Sequence, residues 1–200
     1  MKIGIIGGTF NPIHIGHLVL ATEAMKEYNL DEIWFIPTGM SYMKSQKQIA
    51  SARDRLAMTE LAIAGNERMK CLDIEIKREG YTYTYETLEQ LHREYPEHDF
   101  FFIFGADCLY TIETWKLPEQ IFSQCEIIAA ARNGSLIEEM KTKATELEKK
   151  YDAKIHLMPF MDLEISSTVL RERLMNGKPV KYLIPDAVIE YISENKLYKD

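Results

Sequence analysis

The chain has 200 residues, 46% of them hydrophobic and 28% charged, with only 10 Gly and 7 Pro, which excludes a disordered, collagenous or low-complexity protein and leaves one folded domain with a substantial core. Lys and Arg number 24 against 31 Asp and Glu, and the net charge of −7 excludes broad binding to nucleic acid or to a membrane surface, so an anionic ligand must be held by a local arrangement. Three cysteines, Cys71, Cys108 and Cys125, form no CxxC pair, and no apolar run is long enough for a signal peptide or a membrane span, which fits a reducing cytoplasm.

Taken in chain order, the apolar run 3–6 reads as a strand, 17–28 as a helix, 33–36 as a strand and 52–63 as a helix, with Ser51 and Asp54 as its cap. A strand at 72–76, a helix at 85–95, a strand at 100–104, a strand at 127–131 and a helix at 136–150 follow. The pattern closes with a strand at 155–158 and helices at 168–175 and 185–195, Pro185 suiting a first turn. Strands that read as buried on both faces and are separated by helices imply a Rossmann-like three-layer α/β/α sandwich with a mainly parallel sheet. The acid-base mixture of 138–150 is a solvated helix face, and there is no internal repeat or linker.

Ligands of such sheets bind beyond the carboxyl ends of the strands. Directly after the first strand comes Gly7-Gly8-Thr9-Phe10-Asn11-Pro12-Ile13-His14-Ile15-Gly16-His17. Paired glycines let backbone N–H groups approach a phosphate, and the helix start adds partial positive charge. Gly4, Gly7 and Gly8 do not have G-x-G-x-x-G spacing, and no Walker A Gly-Lys-Ser/Thr is present. His14 and His17 flank Ile15-Gly16 at the helix entrance, where both imidazoles can face one phosphate. As a bare H-x-x-H they could equally be a packed pair; a zinc site lacks a third ligand at metal-like spacing. Near the other end, Ile165-Ser166-Ser167-Thr168-Val169-Leu170-Arg171 places hydroxyls and N–H groups at a helix start with an Arg one turn on, which is a good cap and also a second phosphate clamp.

GGTFNPIHIGH resembles the signature of the HIGH-type nucleotidylyltransferases, and the Ile-Ser-Ser-Thr-Val-Leu-Arg run resembles their second signature. Tyr83-Thr84-Tyr85-Glu86-Thr87, Phe104-Gly105-Ala106-Asp107 with Trp115, Ala131-Arg132, Tyr182-Leu183-Ile184-Pro185 and Asn195-Lys196-Leu197-Tyr198 are similar to the bacterial nicotinate-nucleotide adenylyltransferases, so the resemblance covers essentially the whole chain. It implies adenylyl transfer from ATP, with Mg²⁺ accompanying it, to nicotinate mononucleotide, giving nicotinate adenine dinucleotide and pyrophosphate. It also implies that the C-terminal part, about 165–200, completes the ATP site. The catalytic set so implied is His14, His17, Lys44 and Arg171. ATP is implied to meet Gly7, Gly8, Thr9, Phe10, His14, His17, Gly105, Asp107, Ser166, Ser167, Thr168 and Arg171. Nicotinate mononucleotide is implied to meet Thr84, Trp115, Lys44 and Arg132.

Lys44 lies in 40–53, a stretch that contains Lys44, Lys47 and Arg53 and no acid, and reads as a phosphate-gripping lid. Two positions depart from the family pattern: Met43 stands where a His is usual before the Lys, and Asn11 where Asp is usual, so any role of that negative charge is lost. Alternatives are a different phosphorylated acceptor, such as nicotinamide mononucleotide or phosphopantetheine, a nucleotide-binding module without catalysis, and a dinucleotide-dependent oxidoreductase, which the missing G-x-G-x-x-G disfavours. The sequence leaves oligomeric state open, a homo-oligomer included.

Overall fold

The computed structural model describes residues 1–40, 49–131, 134–161, 163 and 165–199. The chain runs β1 (Lys2–Gly8), α1 (Ile15–Glu27), β2 (Glu32–Pro37), α2 (Ala52–Ile63), β3 (Met69–Cys71), α3 (Thr84–Glu94) and β4 (Asp99–Gly105). It continues through α4 (Ala106–Thr111), a 3-10 turn (Ile112–Thr114), α5 (Pro118–Gln124), β5 (Glu126–Ala131), α6 (Gly134–Tyr151), β6 (Ile155–Pro159), α7 (Ser167–Met175) and α8 (Asp186–Glu194). The strands form one six-stranded sheet in the order β3-β2-β1-β4-β5-β6. Its β1–β4, β4–β5 and β5–β6 pairings are parallel, with Ile3 opposite Phe100, Phe102 opposite Ile127 and Ile128 opposite His156. This is the Rossmann-like α/β architecture expected from the alternation of strands and helices. The strand order reverses beside β1, and such sheets bind their ligands at that point, next to the segment leaving β1. None of the helices among the described residues is long and apolar enough to cross a membrane.

Two compact units make up the chain. The first comprises Met1–Gly7, Leu20–Trp34 and Tyr83–Leu163. Its core is the run Phe100–Phe104 with Ile127–Ala131, Ile3, Ile5, Ile33, Leu88 and Leu91, all buried. Both faces of these strands are covered, which is why they read as unbroken apolar runs and not as an alternation. At Gly4 a Cβ would lie 2.5 Å from Ile33 Cδ1 and 2.7 Å from Ile103 Cδ1, so only glycine lets those side chains close over β1. The second unit comprises Gly8–Val19, Phe35–Thr82 and Glu164–Asp200. Within it α2 packs on α8, and Tyr191 Oη donates to Asp54 Oδ1 at 3.0 Å. The expected cap is present: Ser51 Oγ accepts from Asp54 N at 3.1 Å and donates to Asp54 Oδ2 at 2.6 Å.

The expected strand at 72–76 is overturned. The strand there is Met69–Cys71, and the chain then turns, Lys77 N donating to Asp73 O at 3.0 Å and Arg78 N to Glu75 O at 3.3 Å. Leu72-Asp73-Ile74-Glu75-Ile76 has the period of a half-buried strand, but Lys77 pairs with Asp73 across one turn at 2.9 Å and local bonds replace a ladder. The stretch 106–124, given no element from sequence, holds α4, the 3-10 turn and α5. Pro118 at the first position of α5 and Glu119 in its first turn are the signals available there.

Within the first unit that 3-10 turn is tied to α6. Glu113 accepts from Lys143 Nζ at 2.6 Å, Lys150 Nζ at 2.7 Å and Tyr151 Oη at 3.1 Å. These donors, Lys143 foremost, hold the Glu113 carboxyl at about 2, below the ordinary carboxylate value. The folded pKa is depressed, so the network stabilises the fold above the unfolded carboxyl's pKa and is lost as pH falls toward 2. Glu113→Gln is expected to lower Tm by only about 2 °C at neutral pH, because solvent screens these partly exposed pairs. In thermal melts the gap from wild type should close as pH falls from about 5 toward 2; a gap that stays constant over that range contradicts the ionic origin.

Candidate functional site

Between β1 and α1 the chain passes through residues 9–14 without regular structure, and in the second unit its carbonyls are taken by donors from other elements. Thr38 N donates to Gly8 O at 2.8 Å, and Ile15 N donates onward to Leu183 O at 3.0 Å. Arg55 Nη1 donates to Thr9 O at 2.9 Å, Arg171 Nη1 to Asn11 O at 2.9 Å and Ser167 Oγ to Pro12 O at 2.9 Å. Carbonyl oxygens committed in this way present less negative potential to an anion, and the start of α1 adds partial positive charge.

His14 precedes α1 and is 6% exposed; His17 lies in the first turn of that helix. Their ring centroids are 3.8 Å apart with planes at 31°. His17 N donates to His14 O at 2.9 Å, and His14 N donates to His17 Nδ1 at 3.2 Å. Because Nδ1 accepts a hydrogen bond, neutral His17 carries its proton on Nε2, where the ring can donate to an oxyanion. The Phe10 ring, 2% exposed, meets the His17 ring edge-on at 5.1 Å. A Cβ on Gly16 would stand 3.0 Å from His14 Nδ1 and 3.1 Å from His14 Cε1, so the small residue between the histidines leaves room for the first ring.

At the second signature, Ser166 caps α7 by accepting from Val169 N at 3.3 Å, and Arg171 Nη2 donates to Thr168 Oγ1 at 3.3 Å. The second unit holds Gly8, Thr9, Phe10, His14, His17, Ser166, Ser167, Thr168 and Arg171, and the bonds from Ser167 and Arg171 to Pro12 O and Asn11 O tie the second signature to the loop of the first. Of the other sequence candidates, the first unit holds Gly7, Thr84, Gly105, Asp107 and Trp115. Thr84 is the first residue of α3, whose cap residue Tyr83 makes no side-chain cap bond. Gly105 caps α4, with exposed Asp107 in its first turn. Trp115 packs edge-on against Phe102 at 6.2 Å and tilted on Phe104 at 6.2 Å. Lys44 and Arg132 lie outside the described residues. Among the described residues no group of three or more His, Cys, Asp and Glu could hold a metal ion.

Three residues that sequence reasoning does not assign to the site anchor it. Arg55, 3% exposed, donates to Ala50 O at 3.2 Å and Gly39 O at 3.3 Å as well as to Thr9 O. Burial lowers its pKa, and Tyr198 and Glu75 pull it back. Asn11 Oδ1 accepts from Ala50 N at 3.0 Å and from Tyr198 Oη at 2.7 Å. Burial pushes the Tyr198 phenol above its ordinary value, against the pull of Arg171 and Arg55, so it stays a donor. Arg55 lies on the buried row of α2 with Met58, Thr59 and Ile63, a placement that its residue type does not signal.

A family model described as cytidylyltransferase-like matches residues 5–173. A protein of Lachnoclostridium phytofermentans named "Probable nicotinate-nucleotide adenylyltransferase" is 41% identical over 197 residues, covering 98% of both chains. One of Dehalococcoides mccartyi with the same name is 43% identical over 202 residues, covering 99% of this chain and 97% of that one. Among solved structures, the Plasmodium falciparum nicotinic acid mononucleotide adenylyltransferase complexed with NaAD superposes with a TM-score of 0.80 at 24% identity, covering 98% of this chain and 97% of that one. At that identity the likeness is one of fold.

Arg55→Met keeps length and apolar character but removes the guanidinium donors from three carbonyls. It is expected to cost about 3 kcal/mol or more of unfolding free energy in urea titration, because buried acceptors lose these partners and Glu75 its neighbouring cation. A loss below about 1 kcal/mol contradicts the anchoring role.

Proposed function

The chain belongs to the cytidylyltransferase-like family, and from that premise we propose that it transfers the adenylyl group of ATP to nicotinate mononucleotide, forming nicotinate adenine dinucleotide and pyrophosphate. The observation that carries this reading is the pair of His14 and His17 rings at the end of a loop whose Asn11 and Pro12 carbonyls accept from Arg171 and Ser167 of the second signature. The homologues named nicotinate-nucleotide adenylyltransferase, 41% and 43% identical over nearly their whole length, support the choice of acceptor. In this reading the reaction belongs to NAD biosynthesis in the cytoplasm. The 200 residues act as one nucleotidyltransferase domain whose part from about 165 completes the ATP site.

A phosphomonoester oxygen of nicotinate mononucleotide attacks the α-phosphorus, and the bond to the β-phosphate bridging oxygen breaks. The nucleophile is already ionised near neutral pH, its second pKa lying near about 6, so no side chain need remove a proton. Catalysis is then positioning and charge stabilisation. His17 donates from Nε2, His14 lies beside it, and Arg171 and Lys44 are assigned to the remaining phosphate charge. Gly7, Gly8, Thr9 and Phe10 are assigned to ATP, as are Gly105 and Asp107. Ser166, Ser167 and Thr168 complete the second clamp; Ser167 donates to Pro12 O and so acts first on the loop itself. A divalent cation such as Mg²⁺ would accompany ATP, held mostly by phosphate oxygens and water, and would supply neutralisation of phosphate charge.

Thr84, Trp115, Lys44 and Arg132 are assigned to the pyridine nucleotide. Thr84 opens α3, and a carboxylate at a helix start receives N–H donors and the favourable end of the dipole, which a neutral carboxamide uses less well. The test is pyrophosphate release with ATP and either pyridine mononucleotide. The acid should be preferred by about 30-fold or more in kcat/KM; equal use of acid and amide contradicts the acceptor assignment, and no release with either overturns the reaction. His17→Ala should lower kcat and kcat/KM together by about 10²-fold, as loss of one preorganised donor does. Near-normal kcat would make the histidine a ground-state anchor only.

A further inference from the structure

The loop carrying His14 has no hydrogen-bond ladder of its own, so what fixes it must come from outside, and Asn11 is where much of it converges. Its main-chain oxygen takes Arg171 Nη1 at 2.9 Å, while its side-chain oxygen takes Ala50 N at 3.0 Å and Tyr198 Oη at 2.7 Å. We propose that Tyr198 is a positioning residue for adenylyl transfer, acting through Asn11 to hold the nucleotide loop at the distance from α7 that its phosphate donors require; this rests on the reaction proposed above.

The chemistry fits the task. The 2.7 Å bond is the shortest of these three, and its donor cannot ionise in the working range because burial raises the phenol's pKa. An amide oxygen has two lone pairs, and here each has a donor, from Ala50 and from Tyr198. The same phenol stands beside Arg55 and Arg171, the two guanidiniums that hold Thr9 O and Asn11 O. Losing the hydroxyl removes a donor from this cluster without opening a cavity, so the loop gains freedom while the fold keeps its core. Catalysis by positioning is sensitive to such freedom, since a small displacement of a donor from the transferring phosphate is felt mainly in the transition state.

The test is a double-mutant cycle in the full chain with Tyr198→Phe, Asn11→Leu and both, read by pyrophosphate release from ATP and nicotinate mononucleotide, by thermal melts and by hydrogen exchange at the Ala50 amide. Tyr198→Phe is expected to lower kcat about tenfold with KM for nicotinate mononucleotide within about twofold and Tm little changed. Ala50 exchange should rise about tenfold, and the double variant should fall no further in kcat than Asn11→Leu alone. If Tyr198→Phe does not fold, Asn11→Leu carries the same kcat-against-KM reading. Unchanged kcat in variants of an enzyme that turns over overturns the proposal, as do independent losses that simply multiply. A wild-type chain that releases no pyrophosphate overturns the reaction itself, which keeps the two failures apart.

Discussion

The guanidinium of Arg55 is the constraint on which the second unit rests. It is 3% exposed and reaches Thr9, Gly39 and Ala50 carbonyls, which belong to three separate stretches of chain before α2. A planar fork with five donors can join them; a lysine ammonium, compact and strongly hydrated, could not take the same directions. Burying this charge is unfavourable in itself and becomes tolerable because its donors meet three main-chain oxygens and Glu75, 8% exposed, lies near enough to counter it. The loop from Gly8 to His14 thus receives its shape from donors on α2, α7 and the segment at Tyr198.

That arrangement suits a reaction in which side chains need do little covalent work. With an ionised nucleophile and a charged leaving group, rate depends on where the donors stand before the substrates arrive. His17 is prepared in this sense: the bond from His14 N to its Nδ1 fixes the tautomer, and the Phe10 edge and the His14 face fix the ring. Gly16 completes the arrangement by leaving space for the His14 ring, so the small residue between the histidines is a packing requirement and not only a backbone one.

Much of this is legible in the sequence, for identifiable reasons. The runs at 100–104 and 127–131 are buried on both faces and read as interior strands. The two signatures single out His14, His17, Ser167 and Arg171 by residue type and spacing, and Ser167 and Arg171 donate to the loop that leads to His14. What stays hidden depends on main-chain oxygens, which no residue code displays. In the sequence Arg55 is one more charge on a helix, and Tyr198 part of a tail motif, because the carbonyls and the amide they serve lie far away along the chain. Asn11 stands out by the charge it lacks, whereas its use lies in two acceptor lone pairs. The strand expected at 72–76 fails for the opposite reason: its alternation is real, but turn bonds from Lys77 N to Asp73 O and from Arg78 N to Glu75 O are local and satisfy these backbone groups without a partner strand.

At the centre of this mechanism two bound substrates react directly, aligned by donors fixed in advance, with no adenylyl group ever attached to the protein. The stereochemical course at the α-phosphorus tests it most directly, using ATP with a sulfur in place of one nonbridging α-oxygen and a defined configuration. A single in-line displacement by nicotinate mononucleotide inverts that centre, and inversion is the predicted result. Retention would require two displacements through a covalent adenylyl-enzyme, with a side chain such as His14 or His17 as nucleophile, and would contradict direct transfer.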